Sequence, residues 1–150
     1  MITLIRTDAA HTDFKKLVKH LDRYLAVMDG DAHEFYDQFN KIETLTEVVL
    51  AYLDETVVGC GAIKPYDLNT AEIKRMYVAP NCRGKGVASI ILKELEVWSK
   101  DLSFNKTILE TGIDYKDAIA LYKKNGYQQL PNYGPYTNSE LSICFGKELK

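Results

Sequence analysis

The sequence predicts one α/β domain, in which a mixed sheet carries helices on both faces. Three observations lead to this fold class. The length of 150 residues suits a single core, 46% of the residues are hydrophobic, and the predicted strands and helices follow the order βααβββαβαββ. We therefore expect a single domain that spans residues 1–150.

The first half of the chain predicts one strand, two helices and a hairpin. In order, these are an edge strand at Ile2–Arg6, a helix over Phe14–Leu25, a second helix near residues 32–40, and strands at Glu47–Leu53 and Thr56–Ile63. Thr7 and Asp8 are residue types that cap the helix that follows them. Gly59 and Gly61 inside a strand indicate a bulge or a close packing partner.

The second half predicts four strands and two helices. They are a buried strand ending at Val78, a helix over Val87–Lys100, a strand at Thr107–Thr111, a helix at Lys116–Lys124, and short strands at Tyr127–Leu130 and Leu141–Phe145. Asn125-Gly126 predicts the end of the last helix. Pro131–Ser139 is expected to form an ordered loop.

A glycine loop joins the buried strand to the first of these two helices. Gly84 and Gly86 allow a tight backbone path and a close approach to a ligand, and Arg83 and Lys85 add positive charge. The N-terminus of the following helix offers N–H groups to an anion, so this stretch predicts a phosphate or pyrophosphate site. The P-loop spacing is absent, and Ser89 stands where the last glycine of a dinucleotide motif belongs.

Composition narrows the functional class. A net charge of −2 and a pI near 5.9 argue against a general nucleic-acid binder. The apolar runs are too short to span a membrane, and the start of the chain is too polar for a signal peptide. Three cysteines without a CxxC pair fit reduced thiols in a cytoplasm, and the scattered histidines predict no metal site.

Two segments resemble the GNAT N-acetyltransferase superfamily. YVAPNCRGKGVA resembles its acyl-CoA-binding motif, with Asn81 where the family often has Gln or Arg. The later pattern A-x-x-L-Y-x-x-x-G-[FY] is matched by Ala118, Leu121, Tyr122, Gly126 and Tyr127, with Tyr115 where many members have Asn. The order of elements is also that of the family, and the end of the chain resembles a bacterial subgroup that acts on small molecules.

The resemblance implies a mostly antiparallel sheet, splayed between its two middle strands, and acetyl-CoA as co-substrate without a metal. The cofactor-binding residues it implies are Met76, Tyr77, Val78, Arg83, Gly84, Lys85, Gly86, Val87, Ala88, Ser89 and Tyr122. The strand residues are expected to pair with pantetheine and to offer a backbone N–H to the thioester oxygen. The loop residues are expected to hold the pyrophosphate.

Three residues are candidates for proton transfer. Glu72 is the first candidate for the base, with a solvated charge or an ion pair to Lys74 or Arg75 as the alternative. Glu110 is a rival base, with a structural hydrogen bond as its alternative. Tyr122 is the candidate general acid, although a tyrosine on the inner face of a helix is more often a core residue. A covalent route through Cys82 is disfavoured, because the family pattern is direct attack by the amine.

The function implied is acetyl transfer to a primary amine of a small molecule or protein. The alternative is a catalytically silent module that binds acyl-CoA as a sensor or partner domain.

An acidic cluster of Asp29, Asp31, Glu34 and Asp37 either attracts a cationic amine or is ordinary helix charge. Tyr133 and Tyr136 either wall the acceptor pocket or pack their loop. Many relatives dimerise, so a homodimer is possible, and neither nucleic acid nor a membrane is expected as a partner.

Overall fold

A computed structural model describes residues 1–32, 36 and 45–150. Its helices and strands are, in order, β1 (Ile2–Thr7), α1 (Thr12–Asp29), β2 (Glu47–Leu53), β3 (Thr56–Pro65), β4 (Thr70–Val78), α2 (Val87–Asp101), β5 (Lys106–Gly112), α3 (Lys116–Lys124), β6 (Gln128–Leu130) and β7 (Ser142–Glu148). The predicted second helix near residues 32–40 falls almost wholly outside the described residues. The order of the described elements agrees with the prediction.

The strands form one seven-stranded sheet in the order β1-β2-β3-β4-β5-β7-β6, with β1 at an edge as predicted. β1–β2, β2–β3, β5–β7 and β6–β7 are antiparallel pairs, and β4–β5 is parallel. The parallel ladder joins Thr70–Glu72 to Lys106–Ile108, so it uses three of the nine residues of β4. The mixed, mostly antiparallel sheet is therefore confirmed, and the ladder between its two middle strands is short.

Contacts divide the chain into two compact units. The first unit comprises Met1–Lys64 and Ile73–Leu95. Its core contains one face of α1, because apolar residues recur there at helical spacing. The buried residues of this core are Ala9, Phe14, Leu17, Val18, Leu45, Val48, Leu50, Cys60 and Ala62.

Two glycines of β3 allow β4 and α2 to approach this strand closely. A Cβ on Gly59 would lie 2.8 Å from Ile91 Cδ1, and one on Gly61 would lie 2.6 Å from Met76 Sδ. The β2–β3 register also shifts beside Gly59, between Ala51 and Tyr52. Both the bulge and the close packing partner indicated by the sequence are present.

The predicted cap of α1 is wrong. His11 is the N-cap residue, and its Nδ1 accepts a hydrogen bond from the Asp13 N–H at 3.1 Å. The Asp8 carboxylate instead accepts from the Ala10 N–H at 2.9 Å. Asp8 therefore stabilises the turn between β1 and the helix, and the helix begins only after this turn is complete.

The second unit comprises Pro65–Glu72 and Glu96–Lys150. The hydroxyl of Tyr127 lies 2.8 Å from Thr107 Oγ1 and donates to Glu96 Oε2 at 3.0 Å. Lys147 Nζ donates to Glu96 Oε1 at 2.9 Å, which completes a partly buried polar network. This network holds the chain just after α3, which ends at Lys124 before Asn125-Gly126 as predicted.

Candidate functional site

The glycine loop before α2 has a left-handed backbone and open surroundings at both of its glycines. Gly84 and Gly86 have φ angles of 77° and 82°, which an L-residue adopts only with strain. A Cβ at either position would meet nothing within 4 Å, so the space beside the backbone is open. The first intrahelical bond runs from the Ile90 N–H to the Gly86 oxygen at 3.1 Å. The N–H groups of Val87 and Ala88 precede this bond and have no carbonyl acceptor within the helix, which is the general arrangement at a helix N-terminus.

Arg83 braces the loop against the end of β4. Its Nε donates to the Val78 carbonyl at 2.8 Å, and its guanidinium carbon lies 5.6 Å from the ring centre of Tyr77 and 5.7 Å from that of Tyr24. Lys85, the second cation of the loop, is exposed. Arg83 therefore supplies charge from a fixed position, and one carbonyl of the predicted Met76–Val78 edge is already bonded.

Glu72 is buried and holds a specific partner. The residue is 7% exposed, and its Oε2 accepts a hydrogen bond of 2.6 Å from the Tyr133 hydroxyl. Burial and the adjacent Glu72 charge raise the pKa of Tyr133 above its usual range, so the phenol remains a donor at neutral pH. Glu72 is therefore not a solvated charge, and Arg75 pairs with Asp22 instead.

Tyr133 is fixed by the aromatic rings around it. Its ring packs edge-on against Tyr66 at 5.2 Å and against Tyr136 at 5.8 Å. Asn132 braces the same loop by donating from Nδ2 to the Ser139 and Ser142 carbonyls, both at 3.1 Å. The loop after β6 is thus ordered, as predicted, and it carries a hydroxyl to the candidate base.

Glu110 makes a hydrogen bond to another side chain, as predicted by the alternative in which its role is structural. Ser142 Oγ donates to Glu110 Oε2 at 2.7 Å. The Cys144 thiol faces Glu110 in the β5–β7 register, and its pKa is raised to about 11 by burial and by the charges of Glu110 and Glu72. Both candidate bases therefore act electrostatically on one buried thiol of the second unit.

Tyr122 lies on the inner side of α3. Its ring packs against Tyr127 at 5.8 Å and Phe145 at 6.3 Å. Burial, reinforced by the Glu110 charge, raises its pKa above the usual range, so the phenol is protonated at neutral pH. Its hydroxyl has no hydrogen-bond partner within the described residues. The side chain therefore combines a core ring with an uncommitted proton donor.

The structure also places the three cysteines, Tyr115 and part of the acidic cluster. Cys60, Cys82 and Cys144 are buried and unpaired, and Cys82 Sγ donates to Asn81 Oδ1 at 3.5 Å. Tyr115 packs its ring against Gly112, where a Cβ would lie 3.2 Å away. Of the acidic cluster, Asp29 ends α1, whereas Glu34, Asp37 and the Asp31 side chain lie outside the described residues.

Two features were not predicted from the sequence. One is the Tyr133–Glu72 bond, which joins residues 61 positions apart. The other is the backbone of Arg75, whose φ of 58° places a long side chain in the left-handed region. The bond has no local signal, because its two residues are far apart in the sequence. The Arg75 backbone has none either, because arginine is not a residue type that marks the left-handed conformation.

Within residues 1–32, 36 and 45–150, the structure shows no cluster of three metal-ligating side chains. In the same part of the chain, each helix is too short or too polar to cross a membrane.

Comparison with known proteins gives a consistent family match. Residues 14–127 match the acetyltransferase (GNAT) family. An "IAA acetyltransferase" from Azospirillum brasilense is 30% identical over 150 residues, which cover 99% of this chain and 98% of the relative. The similarity therefore extends over nearly the full length of both chains.

Solved structures show the same similarity. A Klebsiella pneumoniae protein assigned as an acyl-CoA N-acyltransferase has a TM-score of 0.83 at 30% identity, over 100% of this chain and 99% of that one. A GNAT family acetyltransferase from Elizabethkingia anophelis, solved with acetyl-CoA bound, has a TM-score of 0.72 at 24% identity, over 99% and 98% of the two chains. At this level of identity, the similarity to the second structure shows a shared fold alone.

Proposed function

The chain belongs to the GNAT acetyltransferase family, and on this basis we propose that it moves an acetyl group from acetyl-CoA to a primary amine by direct attack of the amine. The observation that carries the proposal is the open glycine loop at the N-terminus of α2. It offers N–H groups, open space and positive charge together, which is the donor set that a pyrophosphate requires. We assign this activity to one domain over residues 1–150.

The donor site is proposed to use the loop and the end of β4. Arg83, Gly84, Lys85, Gly86, Val87, Ala88 and Ser89 would hold the pyrophosphate, and Met76, Tyr77 and Val78 would pair with the pantetheine arm. Acetyl-CoA supplies the acetyl group as a thioester when it is bound. The contribution of the chain is to fix these groups and to offer backbone N–H donors near the thioester oxygen.

The proton from the amine is proposed to pass to Glu72. Its burial and its bond to Tyr133 support this role, because a base works best when it is held in one orientation. Glu110 remains the alternative base, and its bond to Ser142 agrees equally well with a structural role. Proton transfer by either carboxylate can be direct or through one water molecule.

The departing thiolate is proposed to receive its proton from Tyr122. The phenol is protonated at neutral pH, and within the described residues its hydroxyl is not engaged in another hydrogen bond. A general acid must have its proton free to transfer. Tyr122 meets this requirement better than Tyr133, whose proton is committed to Glu72.

The acceptor is proposed to be an amine of a small molecule or a protein. The relative named IAA acetyltransferase favours a small molecule, because the two chains correspond over almost their whole length.

The unpaired buried thiols support a reducing cytoplasm as the place of action. We also propose that two copies associate through the C-terminal strands, which include β6 at the edge of the sheet.

Thermal unfolding with acetyl-CoA, CoA and ATP tests the donor site. A rise in Tm with acetyl-CoA and CoA, but not with ATP, is expected from mass-action linkage. Release of the CoA thiol in the presence of an amine panel then tests the chemistry. Unchanged Tm at millimolar acetyl-CoA would contradict the donor site. Tight binding without thiol release across the panel would instead favour the silent acyl-CoA-binding module, for which the departures at Asn81 and Tyr115 leave room.

A further inference from the structure

Arg75 occupies a strained position in the middle of β4. Its φ of 58° lies in the left-handed region, which is uncommon for a long side chain. Such a conformation persists where the surroundings hold it, and it is often found at ligand sites. The strained backbone alone does not identify a ligand, so the contacts of the Arg75 side chain must supply the evidence for one.

The guanidinium of Arg75 is buried with two nitrogens unpaired. Its side chain is 4% exposed, and Nη2 donates to Asp22 Oδ1 at 2.7 Å. Neither Nε nor Nη1 has a hydrogen-bond partner within the described residues, and both are sealed from solvent. Burial of charged N–H groups without acceptors is unfavourable, so native structures rarely leave it unexplained.

A second arginine ion pair of the first unit, between Arg6 and Glu94, differs from this one. Arg6 donates from Nε to Glu94 Oε2 at 2.7 Å, and these two side chains are 34% and 28% exposed. The Arg6 side chain is therefore within reach of solvent. The Arg75 side chain is only 4% exposed, whereas that of its partner Asp22 is 43% exposed. An anion from solvent would meet Arg75 beside Asp22.

We propose that Arg75 is an anion site that binds a carboxylate of the acceptor, so that the preferred acceptors are amines that also carry a carboxylate. The proposal rests on the proposed acetyl transfer. A carboxylate is planar and accepts several hydrogen bonds, which suits a guanidinium with N–H groups to spare. Arg75 directly precedes the β4 residues assigned to the thioester arm, so a ligand held there belongs to the acceptor and not to the pyrophosphate loop.

Asp22 is the competitor for this ligand. Its carboxylate occupies Nη2 from the exposed side, so an entering carboxylate must share or replace that bond. Removal of the Asp22 charge is therefore expected to improve binding of an anionic acceptor. A purely structural ion pair predicts a loss of stability without this change in selectivity.

The test compares acceptors that differ only in the carboxylate. β-Alanine and γ-aminobutyrate, together with α-amino acids, are each paired with their amide, and kcat/KM is measured for both members of a pair. The native enzyme is expected to prefer at least one acid over its amide by about tenfold or more. Arg75→Gln should bring this ratio close to one, and Asp22→Asn should raise it. Glu94→Gln, which breaks the Arg6 ion pair, is the matched control and should leave the ratio as it is.

Equal kcat/KM for every acid and its amide in the native enzyme would overturn the proposal. A ratio that Asp22→Asn leaves unchanged or lowers would do the same. Should Arg75→Gln fail to fold, the Asp22→Asn result still decides, because Asp22 is partly exposed and its loss is tolerated more easily.

A binding measurement separates this inference from the proposed function. The NMR signal of the Arg75 Nε–H is followed in the native protein during titration with propionate and with propionamide. A saturable shift with propionate alone supports the anion site, even if no amine is turned over and the proposed function fails. The absence of a shift at high millimolar propionate overturns the site, even if acetyl transfer is observed.

Discussion

The hydroxyl of Tyr133 donates a 2.6 Å hydrogen bond to Oε2 of Glu72, and both side chains belong to the second unit of the chain. Glu72 comes from the start of β4 and Tyr133 from the loop after β6. The bond satisfies one oxygen of a buried carboxylate and fixes its direction. It therefore connects the candidate base to a loop that the sequence marked only by its tyrosines and prolines.

Replacement of Tyr133 by Phe is expected to lower both stability and activity. The loss of a hydrogen bond to a buried charge costs about 1.5–3 kcal/mol in the free energy of unfolding, and a less well-held base should reduce kcat/KM by about tenfold. Urea unfolding and steady-state kinetics measure the two effects. Tyr66→Phe is the control, because the Tyr66 ring touches Tyr133 but its hydroxyl makes no hydrogen bond within the described residues. An equal effect of both variants would contradict a specific role for the bond.

Exchange of Glu72 for Gln distinguishes the two candidate bases. Glutamine retains an oxygen that accepts from Tyr133, so the fold should persist while the proton acceptor is lost. If Glu72 is the base, Glu72→Gln removes the part of kcat/KM that rises with pH, and Glu110→Gln keeps it. The reverse pattern would assign the role to Glu110. A rise that survives in both variants would indicate that water removes the proton.

Alanine at Gly84 should weaken acetyl-CoA binding beyond its effect on folding. The φ of 77° makes any L-residue strained by roughly 1–2 kcal/mol, and the added methyl group occupies space assigned to the ligand. Calorimetry is expected to show at least about tenfold weaker binding. Gly30→Ala is a matched control, because Gly30 has a φ of 54° and equally open surroundings at the end of α1. Equal affinities of the two variants would contradict the loop assignment.

Removal of the Tyr122 hydroxyl should affect turnover and spare stability. Within the described residues this hydroxyl makes no hydrogen bond, so Tyr122→Phe keeps the ring contacts and loses only the proton donor. We expect kcat to fall by about 10–100-fold with little change in acetyl-CoA affinity or Tm. Tyr127→Phe provides the contrast, because it breaks bonds to Thr107 and Glu96 and should lower stability. An unaltered kcat would remove Tyr122 from the mechanism.

Stability is expected to fall at alkaline pH through Cys60. Burial raises the pKa of this thiol from 9.0 to about 12, although the Arg75 charge opposes the shift. As pH rises, the thiol of Cys60 loses its proton in the unfolded chain before it does so in the folded protein. The buried thiol therefore makes its full contribution to the free energy of unfolding below about pH 9. This contribution is lost as pH rises toward 12, by up to about 1.4 kcal/mol per pH unit. Urea unfolding across this range measures the slope. Cys60→Ala should show a shallower slope than the native protein, and an identical slope would contradict the assignment.

The sequence alone determined the order of the described elements and the location of the glycine loop. These features depend on local patterns: helical spacing on α1, a turn at Asp54-Glu55, and glycines ahead of α2. Gly59 and Gly61 even indicated the bulge and the close contacts of β3. Such signals lie within a few residues of the structure that they specify.

Only the tertiary structure decided which polar groups meet. Glu72 and Tyr133 are 61 positions apart, and Arg75 and Asp22 are 53 positions apart. Neither pairing follows from propensity, because each depends on how strands, helices and loops pack after they form. The left-handed backbone of Arg75 has the same origin, since packing must hold a conformation that the residue itself does not favour. The sequence thus located the proposed donor loop, and the fold revealed how the candidate base and the buried arginine are held.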